Sequence, residues 1–236
     1  MNTASVIQTN SDNKRRTSSH RFGILLASQV ALIAIHPWSD ASRDRPGWFG
    51  LFAMAVFLAG LYQVAEHKKV RRIATVLCAL AVSANILSLI GYRGPLLIPT
   101  SIFSMAFVAF IAAVLLQSVI SSQKVTSDTL YGAVAAYLFI GILWGMAYSF
   151  VDTLSPGSLH MTAAAGRKLV WTDYMFFSFI TLTTIGYGDL VPMGGIRGLV
   201  MLEGIIGAMY PAILIGRLLT LYRPSRETSA SPGLSL

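Results

Sequence analysis

Six long apolar runs constrain the fold of this 236-residue chain more than any other feature. They cover residues 22–38, 48–65, 73–90, 95–120, 130–150 and 196–221. An α-helix needs roughly 20 apolar residues to cross a bilayer, and 54% of this chain is hydrophobic while only 12% is charged. The first run is short and follows a basic stretch, as in a secretory signal, but no small-residue cleavage site follows it. The pattern predicts an all-α membrane protein with six transmembrane helices.

A shorter segment between the last two runs has a different character. Residues 171–192 read W-T-D-Y-M-F-F-S-F-I-T-L-T-T-I-G-Y-G-D-L-V-P. Thr172 followed by Asp173 is typical of a helix N-cap with an acid in the first turn, which predicts a short helix ending near Leu182. The T-I-G-Y-G-D sequence at 184–189, directly after this helix, resembles the selectivity filter of the tetrameric potassium-channel superfamily.

The resemblance implies a potassium-binding site built from main-chain oxygens. A potassium ion that enters a narrow pore exchanges its hydration shell for backbone carbonyls. The implied potassium sites are the carbonyls of Thr184, Ile185, Gly186 and Tyr187, with the Thr184 hydroxyl at the inner end. Successive carbonyls can face one axis only if the backbone alternates into regions closed to most L-residues, which Gly186 and Gly188 can enter. Each chain carries one such strand, so the resemblance also implies a homotetramer, with the permeant ion in place of any cofactor.

The residues around the filter depart from the family pattern in two places. The family often anchors the filter tyrosine and the following acid to tryptophans of the pore helix, whereas the nearest candidates here are Phe176 and Phe177. Ile180 stands where some members keep a buried acid. We therefore expect Tyr187 to be held by apolar packing, with its side chain and that of Ile185 directed away from the pore axis.

Electrostatics around the filter favour a cation in this interpretation. The C-terminus of the short helix would point at the pore centre with its partial negative charge. Asp189 follows the filter, and the resemblance places it at the outer mouth, where several copies would concentrate cations.

The last run would form the inner helix of the pore, with 130–150 as the outer helix. Small residues recur there at every fourth position and permit close helix approach in a bilayer: Gly204, Ala208, Ala212 and Gly216. Pro211 removes the hydrogen bond to the Gly207 carbonyl, so this pair predicts either a gating hinge or a fixed kink. Glu203, an acid inside an apolar span, predicts either a cavity charge or a hydrogen bond behind the filter.

The first four runs lack the pattern of a voltage sensor. Residues 95–120 contain no Lys, Arg, Asp, Glu or His, so this helix offers no gating charge. The strongest basic cluster, Lys68, Lys69, Arg71 and Arg72, is predicted to lie in a short cytoplasmic turn. The predicted organisation is a disordered tail at 1–21, four helices at 22–122, a pore domain at 128–222 and a short tail at 223–236.

The positive charges set the orientation. With both termini cytoplasmic, 12 of the 18 Lys and Arg residues lie on the inner side, as the positive-inside rule requires. The net charge of +8 is then explained by topology and by contact with anionic lipids, not by nucleic-acid binding. We expect a multi-pass protein of a bacterial inner (plasma) membrane.

These patterns predict a potassium channel that conducts passively and is not an enzyme. No metalloprotease, phosphate-binding or serine-hydrolase motif occurs in the chain. Only a short polar stretch follows Tyr222, which predicts no cytoplasmic ligand-binding domain. The alternatives are a weakly selective cation channel, an ion-transporter subunit, or a non-conducting regulatory subunit of another channel.

Overall fold

The computed structural model describes residues 21–39, 68–89, 97–123, 126–162 and 167–221. Its helices and strands are α1 (Arg21–Ser39), α2 (Lys68–Leu89), α3 (Leu97–Ser121), α4 (Ser127–Leu154), β1 (Leu159–Met161), α5 (Trp171–Leu182), β2 (Leu190–Pro192) and α6 (Ile196–Leu221). The predicted helix at 48–65, the tail at 1–20 and the tail at 223–236 lie outside the described residues.

The protein is mostly helical, and three of the described helices are long and apolar enough to cross a membrane. These segments are Ser101–Ser121, Ser127–Leu154 and Ile196–Thr220. A shorter apolar helix covers Phe22–Ala34. The class of membrane protein is therefore confirmed, while the count of six crossings stays a prediction.

The predicted runs agree with the helix bounds to within two residues for α1, α3 and α6. The inner helix α6 has the bounds predicted for it, and the outer helix α4 extends the run at 130–150 at both ends. It starts earlier because the Thr126 side chain caps it, accepting a hydrogen bond from the Thr129 backbone N–H at 3.2 Å.

The basic cluster at residues 68–72 does not lie in a turn, so that prediction was wrong. Lys68 is the first residue of α2, and the cluster forms the first turns of that helix. Lys and Arg are good helix formers, so the helix continues through them beyond the apolar run that marked its core.

The first helices pack on the outer helix α4 through one apolar core. Its fully buried members include Leu25 of α1, Ala74 of α2, Phe107 of α3 and Phe139 of α4. Helix α3 lies between α2 and α4, and α1 packs on α4. The described helices of the first half therefore pack on the second half of the chain mainly through α4.

The second half of the chain, predicted to be the pore domain, is built on α4, α5 and α6 with a small β-ribbon. A second apolar cluster joins Tyr148 of α4, Phe177 of α5, Leu190 of β2 and Ile196 of α6. Strands β1 and β2 are antiparallel, with Leu159 opposite Pro192 and Met161 opposite Leu190. The segment between α4 and α5 was predicted as a loop from its composition, and this ribbon was not foreseen.

Candidate functional site

The short helix α5, here called the pore helix, begins one residue before the predicted cap. Its N-cap is Val170, and Thr172 is already inside the helix. The capping is done by Asp173, whose carboxylate accepts the Val170 backbone N–H at 2.7 Å and also pairs with Arg167 at 2.6 Å. The prediction that Thr172 caps this helix was wrong. The Asp173 carboxylate reaches back over the first turn and accepts the Val170 N–H itself. The predicted end at Leu182 is confirmed.

The N-terminal half of the pore helix is tied to α4 by a tyrosine. The Tyr174 hydroxyl donates to the Asp152 carboxylate at 2.6 Å. The other oxygen of Asp152 accepts the backbone N–H groups of Gly157 and Ser158. Burial raises the pKa of the Tyr174 hydroxyl above its ordinary value, and the hydrogen bond to Asp152 raises it further by a smaller amount.

Glycines in α4 let the pore helix approach closely. A Cβ at Gly141 would lie 2.6 Å from the Phe179 ring, and a Cβ at Gly145 would lie 2.6 Å from the Met175 sulfur. Real Cβ contacts are rarely below 3 Å, so a larger residue at either position would force the Phe179 ring or the Met175 side chain to shift. Helices α4 and α5 therefore pack closely at both of these positions.

The main chain at the end of the pore helix holds the start of the filter. The Ile180 carbonyl accepts two filter N–H groups, from Ile185 at 2.8 Å and from Gly186 at 3.1 Å. The Leu182 carbonyl accepts the Tyr137 hydroxyl at 3.0 Å. The start of the filter is therefore fixed by main-chain hydrogen bonds to the pore helix.

The backbone of residues 184–188, here called the filter segment, alternates in conformation. Thr184, Gly186 and Gly188 have positive φ angles of 62°, 53° and 74°, while Ile185 and Tyr187 do not. The conformation predicted for the two glycines is the one observed. Positive φ at Thr184 was not predicted. This backbone conformation costs a non-glycine residue about 1–3 kcal/mol.

The carbonyls of this segment are available to a ligand. Among the described residues, no hydrogen bond reaches the carbonyl oxygens of Thr184, Ile185, Gly186 or Tyr187. All five residues of the segment are exposed in the single chain. A row of unpaired carbonyls can coordinate a dehydrated cation, and coordination at these four carbonyls stays a prediction.

The filter tyrosine packs on the pore helix as predicted. The ring of Tyr187 stacks on Phe176, with centroids 6.2 Å apart and planes within 3° of parallel. The expected apolar packing of Tyr187 on the phenylalanines of this helix is therefore observed.

The filter exit is tied to the β-ribbon by Thr162. The backbone N–H of Thr162 donates to the Asp189 carbonyl at 2.9 Å, and its hydroxyl donates to the same oxygen at 3.1 Å. The Asp189 carboxylate accepts the Leu190 N–H at 3.0 Å. Asp189 follows the filter directly, and its place at an outer mouth stays a prediction. Thr162 was missed because a single threonine in a loop-like sequence carries no signal.

Glu203 is fully buried between three helices. Its carboxyl group is hydrogen-bonded to the Tyr148 hydroxyl of α4 and lies 2.6 Å from the Ser178 hydroxyl of α5. Of the two roles left open by the sequence, this geometry favours the hydrogen bond behind the filter over a charge in an aqueous cavity. Ser178 was missed, and its only signal was a hydroxyl in an otherwise apolar helix.

Gly207 and Pro211 occupy different environments. Gly207 is buried, and a Cβ there would lie 2.7 Å from the carbonyl carbon of Leu182. Pro211 is inside α6 and exposed. Gly207 therefore has a packing role at the filter entrance, and a hinge at this pair stays a prediction.

The predicted small-residue stripe does not pack within the chain. Ala208, Ala212 and Gly216 are exposed, and no atom lies within 4 Å of a Cβ built at Gly204 or Gly216. Close packing in the chain is made instead by Gly141, Gly145 and Gly207, which lie outside the stripe.

Comparison with known proteins finds a matching family model and similar proteins. The family model described as "Ion channel" matches residues 133–223, which include α5, the filter segment and α6. Protein LctB of Bacillus caldotenax is 30% identical over 127 residues, covering 48% of this chain and 92% of the relative. Protein LctB of Geobacillus stearothermophilus is 29% identical with the same coverage. No solved structure matches the chain.

The chain belongs to this ion channel family. Passive conduction of ions across a membrane is the role that the family supports, and it is not enzymatic.

Proposed function

We propose that the protein is a potassium-selective channel that conducts passively through a homotetrameric pore. The observation that carries the proposal is the filter segment, where positive φ alternates from Thr184 to Gly188 and the carbonyls of residues 184–187 accept no hydrogen bond from the described residues. Selection of potassium over sodium needs several carbonyls of suitable field strength around a dehydrated ion. The T-I-G-Y-G sequence supplies the carbonyls, with the Thr184 hydroxyl at the inner end.

Assembly from several copies is supported by the exposure of the filter. Irregular backbone at membrane depth is tolerated only where protein buries it or water lines it. In the single chain all of residues 184–188 are exposed, which supports a pore in which further copies enclose them around a water-filled axis. Only 11% of the α6 span is buried within the chain, against 39% for each of the other two spans. Its apolar face and its small-residue stripe would then contact neighbouring inner helices, and one strand per chain makes four copies the fitting number.

The membrane arrangement that fits this proposal has six crossings and both termini in the cytoplasm of a bacterial cell. The tally of basic residues favours it, and it brings Asp189 to the outer side. Helix α3 carries no charged side chain, so gating by movement of that helix in the membrane potential is not part of the proposal.

A weakly selective cation channel is the second candidate, because one observation favours it. Tyr187 is held by stacking on Phe176, and the tryptophan anchors common in the family are replaced here by Phe176 and Phe177. Stacking fixes the ring plane less specifically than a hydrogen bond. A more compliant filter would discriminate less well between ions of different radius.

Flux into liposomes that contain only the purified protein tests the proposal. We expect potassium-driven uptake that barium blocks and that a sodium gradient does not replace. Gly186→Ala should abolish it, because the substitution forces an L-residue into positive φ. Gly198→Ala is the matched control, since Gly198 lies in α6 with no atom within 4 Å of an added Cβ. Equal sodium and potassium flux would favour the second candidate, and the absence of flux from wild type would favour a non-conducting subunit.

A further inference from the structure

The hydroxyl of Ser178 lies between two acceptors in a buried site. Its Oγ is 2.7 Å from the Gly141 carbonyl oxygen and 2.6 Å from Oε1 of Glu203. Both Ser178 and Glu203 are fully buried, so solvent does not share these contacts. The Tyr148 hydroxyl donates to the other oxygen of Glu203.

Counting hydrogens at this site shows that one proton is missing if Glu203 is ionised. A serine hydroxyl has one hydrogen to donate, and a peptide carbonyl has none. With Glu203 ionised, the Ser178 proton could serve the Gly141 carbonyl or the carboxylate, and the other contact would bring two lone pairs together. Leaving such a buried contact unmade is costly. A proton on Oε1 of Glu203 completes the chain from Glu203 to Ser178 to Gly141 and leaves Oε2 to accept from Tyr148.

The surroundings of Glu203 offer hydroxyl donors but no cation to balance a negative charge. The titratable groups that face Glu203 from α4 are the hydroxyls of Tyr148 and Tyr137, and α5 presents the uncharged Ser178. Among the residues that the structure describes, no Lys, Arg or His forms an ion pair with Glu203. A buried carboxylate without a cationic partner is strongly disfavoured.

We propose that Glu203 works as a neutral carboxylic acid, a positioning residue whose proton locks the pore helix between the outer and inner helices. Loss of this proton would remove the hydrogen bond that Glu203 donates to the Ser178 hydroxyl. Ser178 is two residues before Ile180, whose carbonyl holds the N–H groups of Ile185 and Gly186. Deprotonation would therefore loosen the support of the filter, and conduction would fall as pH rises. This last step rests on the proposed channel function, whereas the protonation state does not.

Infrared spectroscopy of the purified protein in lipid tests the protonation directly. We expect a protonated-carboxyl carbonyl band that is present in wild type, absent in Glu203→Gln and lost as pH is raised. Asp128→Asn, which removes a carboxyl group at the start of α4, should leave this band unchanged. The proposal is overturned if wild type and Glu203→Gln have the same carbonyl bands at every pH, since Glu203 would then be ionised throughout.

Potassium flux measured against pH tests the positioning role. Wild-type flux should fall about tenfold over the range in which the carboxyl band disappears, as a shift of about 1.4 kcal/mol in a two-state equilibrium would produce. Glu203→Gln should conduct with a flat profile, because its amide can donate to Ser178 and accept from Tyr148. A pH-dependent fall that is unchanged in Glu203→Gln overturns the role. Absence of flux from wild type at every pH refutes the channel proposal instead, and the infrared result still decides the protonation.

Discussion

Gly207 of the inner helix lies directly against the main chain of Leu182, the last residue of the pore helix. A Cβ built at Gly207 would be 2.7 Å from the Leu182 carbonyl carbon and 2.9 Å from its Cα. The neighbour is backbone that also accepts the Tyr137 hydroxyl, so it cannot move aside as a flexible side chain would. The inner helix thus bears on the filter entrance through a residue that has no side chain.

Gly207→Ala should therefore destabilise the protein and impair conduction. Overpacking a tight contact costs about 1–3 kcal/mol, so we expect a lower thermal unfolding midpoint in lipid or detergent and reduced flux. Gly198→Ala in the same helix has open space around the added methyl group and should be as stable as wild type or more so. Equal unfolding midpoints for the two variants would contradict the close contact.

The stack of Tyr187 on Phe176 should contribute to selectivity. An aromatic pair adds about 0.5–1.5 kcal/mol beyond its buried area, so Phe176→Ala should lower the potassium-to-sodium permeability ratio by up to about tenfold. Tyr187→Phe retains the ring and should be close to wild type. Phe103→Ala removes an exposed aromatic of α3 and serves as the control. Unchanged selectivity in Phe176→Ala would show that the stack is dispensable.

The start of the pore helix offers a test of the revised cap. Asp173→Ala removes the acceptor for the Val170 N–H and should cost about 1 kcal/mol, the usual value of an N-terminal cap. Thr172→Ala should have little effect, because Thr172 lies inside the helix. Thermal unfolding of both variants tests this assignment. A larger loss of stability in Thr172→Ala than in Asp173→Ala would show that Thr172 is the cap, as the sequence predicted.

The tether from Thr162 to the filter exit should appear in hydrogen exchange. Thr162→Val removes the hydroxyl that donates to the Asp189 carbonyl at 3.1 Å but keeps the backbone bond. We expect amides of β2 to exchange several-fold faster, since a neutral hydrogen bond contributes about 1 kcal/mol. Thr153→Val removes a hydroxyl that bonds only within α4 and should leave β2 unaffected. Identical exchange in both variants would mean that the hydroxyl contributes nothing to the exit.

Features encoded by local pattern could be predicted from the sequence. The bounds of α6 followed from a continuous apolar run, and positive φ at Gly186 and Gly188 followed from residue type. The stacking of Tyr187 followed from the phenylalanines in the middle of the pore helix. In each case the determining residues are close in sequence or are fixed by a single conformational preference.

Features that depend on distant partners could not be predicted. Ser178 meets Gly141 and Glu203 across 37 and 25 residues, and neither spacing leaves a periodic trace. The β-ribbon pairs strands of three residues, too short for an alternating pattern. Thr184 takes positive φ against its own preference because the Ile180 carbonyl binds the N–H groups that follow it. Tertiary contacts determine the first two features, whereas at Thr184 main-chain hydrogen bonds to a residue four positions earlier override the local preference.

The reversal potential of the purified protein in a planar bilayer, with potassium on one side and sodium on the other, tests the central claim most directly. A carbonyl-lined filter of the kind proposed predicts a potential displaced far toward the potassium equilibrium value, and loss of the current in Gly186→Ala. A reversal potential near zero under these conditions, with current carried equally by both ions, would contradict the claim that residues 184–188 form a potassium-selective filter.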